Sequence, residues 1–356
     1  MHYALITIHD TQNYGSMLQT YSTYKAIESF GEKVTLLDYR NSVIYAREQP
    51  ITDRPVKSPK DLVKRCVWGR GQKKKYDNIR KFLKQHTDMS RPYCIENIRD
   101  ANRDYDAFIT GSDIVWGTEI TGGDMTYFLD FADDTKRKIA FSSSVGTCWS
   151  DKEQKKIKPL LERYDAISVR EQLAADWIKE LIGIEVPVTC DPTMLRTPES
   201  WESFVLKDYA PQAPYVLIYA ADPLRKNIAD GIKYANERGM KVYFINFYSP
   251  VTGTKTIHPL TVQQWLTLFA NADTVFSASY HGLLFSLYFR KPVFFYNRGE
   301  KSRMISLSRE LCIENREGTE ENIQSNVPID YDFIHKKFAE KRAYSLEILK
   351  SELFTK

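Results

Sequence analysis

The chain has 356 residues, of which 42% are hydrophobic and 27% charged, with 16 Gly, 15 Pro and a formal net charge of +4. At roughly 100 to 200 residues per domain this length predicts two domains, and the composition excludes collagenous, low-complexity and broadly disordered chains. No run approaches the about 18 uninterrupted apolar residues of a membrane-spanning helix; the best, 283–296, is broken by Arg290 and Lys291.

The opening MHYALITIHD lacks a cationic start and a small-residue cleavage site, so it reads as a first strand, not a signal peptide, and predicts a cytoplasmic protein. A strand over 3–9, a polar Gly-containing turn, a helix over 17–29 and a strand over 33–39 make a βαβ opening. From 57 to 91 there are 12 Lys or Arg against 3 Asp or Glu, and elsewhere 38 against 43; one basic segment sits on a mildly acidic body. Further strands are predicted at 107–110, 138–141, 166–169 and 186–189, with helices between the last three. The stretch 191–214, with Pro192, Pro198, Pro211 and Pro214, interrupts the periodicity and reads as a linker. A second series follows, with strands at 215–219, 241–247, 274–277 and 292–296 and helices near 224–238, 261–270 and 283–289. A helical pattern over 331–353 closes the chain.

Alternating strands and helices of this kind specify parallel α/β layers. The expected fold is α/β, with two Rossmann-like domains. Residues 1–192 form the N-terminal domain, with a basic helical insertion at about 41–105; residues 193–330 form the C-terminal domain; and 331–356 are a helix packing back on the first. The five cysteines, Cys66, Cys94, Cys148, Cys190 and Cys312, contain no Cys-x-x-Cys pair and indicate neither a disulfide framework nor zinc. Cys190 reads as a small buried hydrophobe.

In open α/β sheets, ligands collect at the carboxyl ends of strands, where helix N-termini offer unpaired N–H groups. Five polar or Gly-containing segments follow predicted strands: Asn13-Tyr14-Gly15-Ser16, Thr110-Gly111-Ser112-Asp113, residues 142–146 with Ser144, Val169-Arg170-Glu171, and residues 277–282 with Ser279, Tyr280, His281 and Gly282. The last places small hydroxyls, a His and a Gly between a strand and a helix and suits an anion. Arg170 either forks onto a carboxylate or phosphate or pairs with Glu171 or Asp176. Asp113 either orients a substrate hydroxyl or caps a helix. Lys301 and Arg303 follow the strand at 292–296 and are candidates to neutralise a phosphate. The Asp residues form no metal-ligand cluster, so no metal is expected.

In their order these segments resemble the polysaccharide pyruvyl transferase family, enzymes that move the pyruvyl group of phosphoenolpyruvate onto a sugar as a ketal. The matching stretches are Asn13-Tyr14-Gly15 with Leu18-Gln19, Gly111-Ser112-Asp113 with Trp116, residues 144–146, Ser168-Val169-Arg170-Glu171, Asp191-Pro192-Thr193, and Ser279-Tyr280-His281-Gly282 with Lys291-Pro292. Ile114 and Tyr280 depart from the family's commoner Gln and Phe. The resemblance implies a GT-B-like pair of domains facing a cleft, with the acceptor on the N-terminal side and phosphoenolpyruvate on the C-terminal side. It implies that Arg170 and His281 fall where the family binds phosphoenolpyruvate, and catalytic roles for His281, Arg170 and Asp113, with Asp10 as another candidate base. Substrate contacts are implied from Asn13, Tyr14, Gly15, Gly111, Ser112, Ser144, Ser279, Tyr280, Gly282, Lys301 and Arg303. Phosphoenolpyruvate would be the donor and no further cofactor would be needed. Two other readings stay open: a nucleotide-sugar-dependent GT-B glycosyltransferase and a non-catalytic glycan-binding protein. The basic segment fits a solvated insertion, or a surface for anionic membrane or for a lipid-linked sugar acceptor; a nucleotide-linked acceptor is the other source. No RNP-like or finger motif supports nucleic acid.

Overall fold

The fold is known from a computed structural model, which describes residues 1–212, 214–220, 225–246, 250–297 and 303–354. The chain divides into two compact units, the first comprising 1–54, 79–196 and 340–356, the second 55–78 and 197–339. The boundary thus falls after Arg196 instead of 192, and part of the basic insertion groups with the second unit.

In chain order the first part holds β1 (His2–Ile6), α1 (Tyr14–Ser29), β2 (Lys33–Tyr39), α2 (Ser42–Glu48), α3 (Pro59–His86), β3 (Met89–Tyr93), β4 (Ala107–Thr110), α4 (Thr118–Thr121), β5 (Arg137–Ser143), α5 (Asp151–Leu161), β6 (Ala166–Val169) and α6 (Gln172–Ile182). Its six strands are all parallel, in the order β3-β2-β1-β4-β5-β6. This doubly wound order places β1 beside β4, with Tyr3 opposite Ala107, and makes their carboxyl ends the point where the strand order reverses. The central strands β1 and β4 are near-continuous apolar runs, buried on both faces, as a sheet covered on two sides requires.

After α7 (Pro198–Glu202) come β7 (Tyr215–Tyr219), α8 (Arg225–Glu237), β8 (Lys241–Ile245), β9 (Lys255–Ile257), α9 (Val262–Ala270), β10 (Thr274–Ser277), α10 (Tyr280–Tyr288), β11 (Val293–Phe295), α11 (Arg303–Glu310) and α12 (Glu320–Ser325). The second sheet is also parallel, in the order β11-β10-β7-β8-β9, and its strand order reverses between β7 and β10. In α9 the start is set by a capping box between Thr261 and Gln264. The last helix, α13 (Tyr331–Phe354), has 331–339 in the second unit and 340–354 in the first. Its C-terminal half is anchored there: Tyr3 donates to the Leu353 carbonyl at 2.7 Å, Arg137 donates to the carbonyls of Leu353 and Glu352 at 2.7 and 2.5 Å, and Ser345 Oγ accepts the Cys190 N–H at 2.9 Å.

Three expectations differ from what forms. The strand over 186–189 is a single bridge between Val169 and Val188, because Pro187 has no N–H and contributes only its carbonyl, which accepts from Val169 at 3.0 Å. Strands β3 and β9 were not predicted; they are short edge strands, β3 carrying Arg91 and Pro92, and such edges lack an apolar signal. The first strand ends at Ile6, and residues 7–13 form a loop that is buried through Thr11. Among the described residues, no helix is long and apolar enough to cross a membrane.

Candidate functional site

In the first unit the polar segments meet at the carboxyl ends of β1, β4, β5 and β6. Gly111 has φ 135°, and a Cβ there would lie 2.0 Å from the Phe141 carbonyl oxygen, so glycine is required for the crossing. Asp113 then adopts a left-handed φ of 62°, a conformation that costs a non-glycine residue about 1–3 kcal/mol and that clusters at functional sites. One carboxylate oxygen, Oδ1, accepts the Ile114 N–H at 2.9 Å, and the Asp113 carbonyl accepts the Ser144 N–H at 3.1 Å. On the neighbouring strand, Ser142 is also left-handed, at φ 51°, where the β5–β6 register shifts. That bulge turns Ser144 so that its hydroxyl donates to Glu171 Oε1 at 2.9 Å.

Arg170 is fully enclosed. Its Nε donates to Glu171 Oε1 at 2.9 Å and its Nη1 to Gln19 Oε1 at 2.9 Å and Asp191 Oδ2 at 3.2 Å. The side chains of Arg170 and Asp191 are 2% and 0% exposed. Both alternatives for Arg170 therefore need amending: the pairing is real, with Glu171 and Asp191 and not Asp176, but it is buried, and one guanidinium is shared between the carboxylates of Glu171 and Asp191. Asp191 in turn accepts from Thr193 N and Oγ1 at 3.0 and 2.7 Å; the start of the expected linker belongs to this core.

Asn13 is exposed and acts as the N-cap of α1, accepting the Gly15 N–H at 2.9 Å, while Tyr14 and Gly15 are buried in the first turn. Of the cluster beneath this loop, sequence reasoning named only Asp10. His9 has its ring nitrogens 3.3 Å from the Thr7 carbonyl and 3.3 Å from Asp38 Oδ1, and Arg80 of α3 donates to Asp10 at 2.6 Å and to both Asp38 oxygens at 3.2 and 3.0 Å. Burial alone would raise the Asp38 carboxyl, but His9, Arg80 and Arg40 override it and hold the group well below the usual carboxylate range. Asp38 is the penultimate residue of β2, close to where a dinucleotide-binding sheet presents an acid to a ribose; here its oxygens are taken up internally. The paired His9-Asp10 in the loop just after the first strand was the available signal. Cys190 is buried, and burial pushes its thiol up to about 12, which suits a hydrophobe and not a nucleophile.

In the second unit the carboxyl end of β10 leads into α10. Ser277 Oγ donates to the Ser279 carbonyl and accepts the Ser279 N–H, each at 3.1 Å, so Ser279 is held extended as the N-cap with its own hydroxyl outside the cap. His281 lies in the first helical turn, 8% exposed, edge-on to Tyr280 at 5.5 Å, and the Arg303 guanidinium lies 5.2 Å from the Tyr280 ring centre. Gly282 is forced: a Cβ would come within 2.2 Å of Ser277 Oγ and 2.8 Å of the Tyr219 ring. Lys301 lies outside the described residues. The structure thus gathers Gly111, Ser112, Asp113, Ser144 and Arg170 in the first unit, and Ser279, Tyr280, His281, Gly282 and Arg303 in the second. Among the described residues no group of three or more His, Cys, Asp or Glu has metal-binding geometry.

The family model for polysaccharide pyruvyl transferase matches residues 13–300. No curated protein matches the chain in sequence. Of solved structures, the UDP-GlcNAc 2-epimerase from Neisseria meningitidis bound to UDP-GlcNAc is similar at TM-score 0.51 and 9% identity, over 100% of each chain. A likeness at that identity concerns the fold alone, which is GT-B-like: two Rossmann-like parallel-sheet units. The glycosyltransferase SsfS6 of Streptomyces sp. SF2575 gives 0.44 at 13% identity over 98% of this chain and 99% of that one. The UDP-GlcNAc 2-epimerase from Methanocaldococcus jannaschii gives 0.46 at 10% over 93% of each.

Proposed function

The chain belongs to the polysaccharide pyruvyl transferase family, and on that premise we propose that it transfers the pyruvyl group of phosphoenolpyruvate to two hydroxyls of one sugar as a ketal, releasing phosphate. The observation that carries this reading is the pair of built strand-end sites just described: one rich in carboxylates and hydroxyls, the other a helix N-terminus bearing His281 with Arg303 nearby. The donor brings a phosphate and a carboxylate, for which cations and a helix N-terminus are the natural receptors. The acceptor brings neutral hydroxyls, for which carboxylates are good hydrogen-bond acceptors and, once, a base.

In balance, C3 of phosphoenolpyruvate gains a proton and becomes a methyl group, leaving an oxocarbenium-like C2. Two sugar oxygens bond to C2, and the bond between C2 and the phosphate oxygen breaks. Of the two hydroxyl protons lost, one balances that taken up at C3 and the other leaves on phosphate. We assign His281 to deliver the proton to C3, Asp113 to receive one from a sugar hydroxyl, and Arg303 with Lys301 to hold the phosphate, with no cofactor besides the donor. Arg170 orders the carboxylates around the acceptor hydroxyls and offsets their charge.

The test is phosphoenolpyruvate-dependent phosphate release with a panel of hexose acceptors, with the added pyruvyl group read by mass spectrometry. His281→Ala is expected to lower kcat/KM by about 100-fold, equivalent to roughly 2.7 kcal/mol of transition-state stabilisation; a loss under about threefold removes His281 from the reaction. Thermal shifts separate the donor classes, since a ligand at 100 times its Kd adds about 2.7 kcal/mol of stability. Stabilisation by UDP-GlcNAc and not by phosphoenolpyruvate would favour nucleotide-sugar transfer.

We also assign α3 to an anionic lipid surface or a lipid-linked acceptor. Leu62, Val63 and Val67 are 52%, 61% and 62% exposed on a helix whose other exposed residues include Lys60, Lys64, Arg70 and Lys74, a combination suited to an interfacial plane. Binding to vesicles containing phosphatidylglycerol should fall steeply between 0.05 and about 0.5 M salt, because screening shortens with ionic strength. Equal binding to neutral vesicles, or none at low salt, overturns the assignment.

A further inference from the structure

Helix α1 is buried nearly all round, and most of its polar residues are satisfied within the helix itself: Thr20, Ser22 and Thr23 each donate to the carbonyl four residues back, at 2.9, 2.8 and 3.0 Å. Gln19 differs. Its side-chain oxygen receives the Ser112 hydroxyl at 2.5 Å, the Asp113 backbone N–H at 2.9 Å and Arg170 Nη1 at 2.9 Å. The orientation of the amide follows from chemistry, because a backbone N–H and a guanidinium can only donate, and a flipped amide would face both with its own N–H groups. The amide nitrogen, buried, has no protein partner among the described residues. Gln19 is therefore held by its oxygen alone.

Three donors on one oxygen connect three separate parts of the first unit. Ser112 and Asp113 come from the β4 end, Arg170 from the β6 end and Gln19 from the helix after β1. The contact to the Asp113 N–H falls on the residue whose left-handed backbone decides where its carboxylate points. The contact to Arg170 falls on the nitrogen that also serves Asp191.

We propose that Gln19 is the positioning residue of this site, its single carbonyl oxygen setting the direction of the Asp113 carboxylate and the Arg170 guanidinium together. This rests on the pyruvyl-transfer reading only in so far as Asp113 is the base there; the geometric claim stands apart from it. Any shift of the Gln19 side chain moves base and cation at once, so its removal lowers turnover while leaving donor binding in the second unit intact.

The experiment compares Gln19→Leu, which deletes the oxygen, with Gln19→Glu, which keeps an acceptor for all three donors. For Gln19→Leu the expected result is kcat lowered about 30-fold or more, KM for phosphoenolpyruvate within threefold of wild type, and hydrogen exchange at the Asp113 amide at least tenfold faster. Gln19→Glu is expected to recover kcat to within about tenfold and to move the acidic limb of the kcat profile to higher pH, because an added carboxylate beside Asp113 favours its protonated form. If Gln19→Leu keeps kcat within threefold and exchange unchanged, or if Gln19→Glu is as slow as Gln19→Leu with an unmoved pH profile, the proposal is overturned. If Gln19→Leu does not fold, the limb displacement in Gln19→Glu decides. If the wild-type protein forms no ketal, the pyruvyl-transfer reading fails by itself, and Asp113 amide exchange in the two variants still decides the role of Gln19: faster in Leu and near wild type in Glu supports it, any other pattern sinks it.

Discussion

Arg170→Ala is expected to destabilise the first unit by about 3–5 kcal/mol, the range found when one partner of a buried ion pair is removed. Asp191 is the reason. Its side chain is 0% exposed and its Oδ2 faces the guanidinium, so truncation takes away the cation beside a buried carboxylate. Glu171 loses its 2.9 Å partner as well, but at 20% exposure it can turn to solvent. Asp191→Asn in the same background removes the stranded charge while keeping an oxygen for Thr193, and the double variant should regain at least half of the lost stability. It should not regain activity, since the guanidinium that offsets the acceptor-side carboxylates is still missing. Denaturant unfolding followed by circular dichroism and tryptophan fluorescence, paired with the ketal assay, separates the two effects. A stability loss under about 1 kcal/mol for Arg170→Ala contradicts the enclosed pair.

Glu352→Gln should do the opposite and stabilise the protein at neutral and alkaline pH. Glu352 lies in the last turn of α13, neither carboxyl oxygen has a hydrogen-bond partner among the described residues, and burial pushes the carboxyl up to about 8, with Ser168 and Arg137 only partly offsetting it. The unfolded chain releases this proton near pH 4.5, the folded chain only near 8, so between those values the unfolded state binds fewer protons and stability falls as pH rises. The loss is absent below about pH 4.5 and amounts to about 3 kcal/mol at pH 7, at about 1.4 kcal/mol per pKa unit. Gln carries no such charge, so the variant's excess over wild type should grow steadily from pH 5 to pH 8. A constant difference across that range would show that Glu352 titrates as an exposed acid does.

The strands that were legible beforehand share one property. Residues 33–39, 107–110, 166–169, 215–219 and 274–277 are short apolar runs between turn residues, and each coincides with β2, β4, β6, β7 and β10. A sheet covered on both faces demands such runs, so hydrophobicity and length suffice to find them. Where pairing depends on something other than burial, the reading failed: β3 and β9 are polar edges, and 186–189 has the right residues but a proline where a ladder donor is needed.

The same division runs through the candidate sites. Local sequence determined that Gly111 and Gly282 follow strands and that Asp113, Arg170 and His281 sit at strand ends, because each of these follows from a few neighbouring residues; that the helix expected over 17–29 starts at Tyr14 with Asn13 as its cap came from the structure. Only the tertiary structure decided that Arg170 is closed in by Glu171, Asp191 and Gln19, that His9 and Arg80 share Asp38, and that Glu352 is buried. Those partners are separated by up to 151 residues along the chain. A pairing of that kind depends on which strand ends the sheet order brings side by side, and the spacing of residues along one segment carries no information about it.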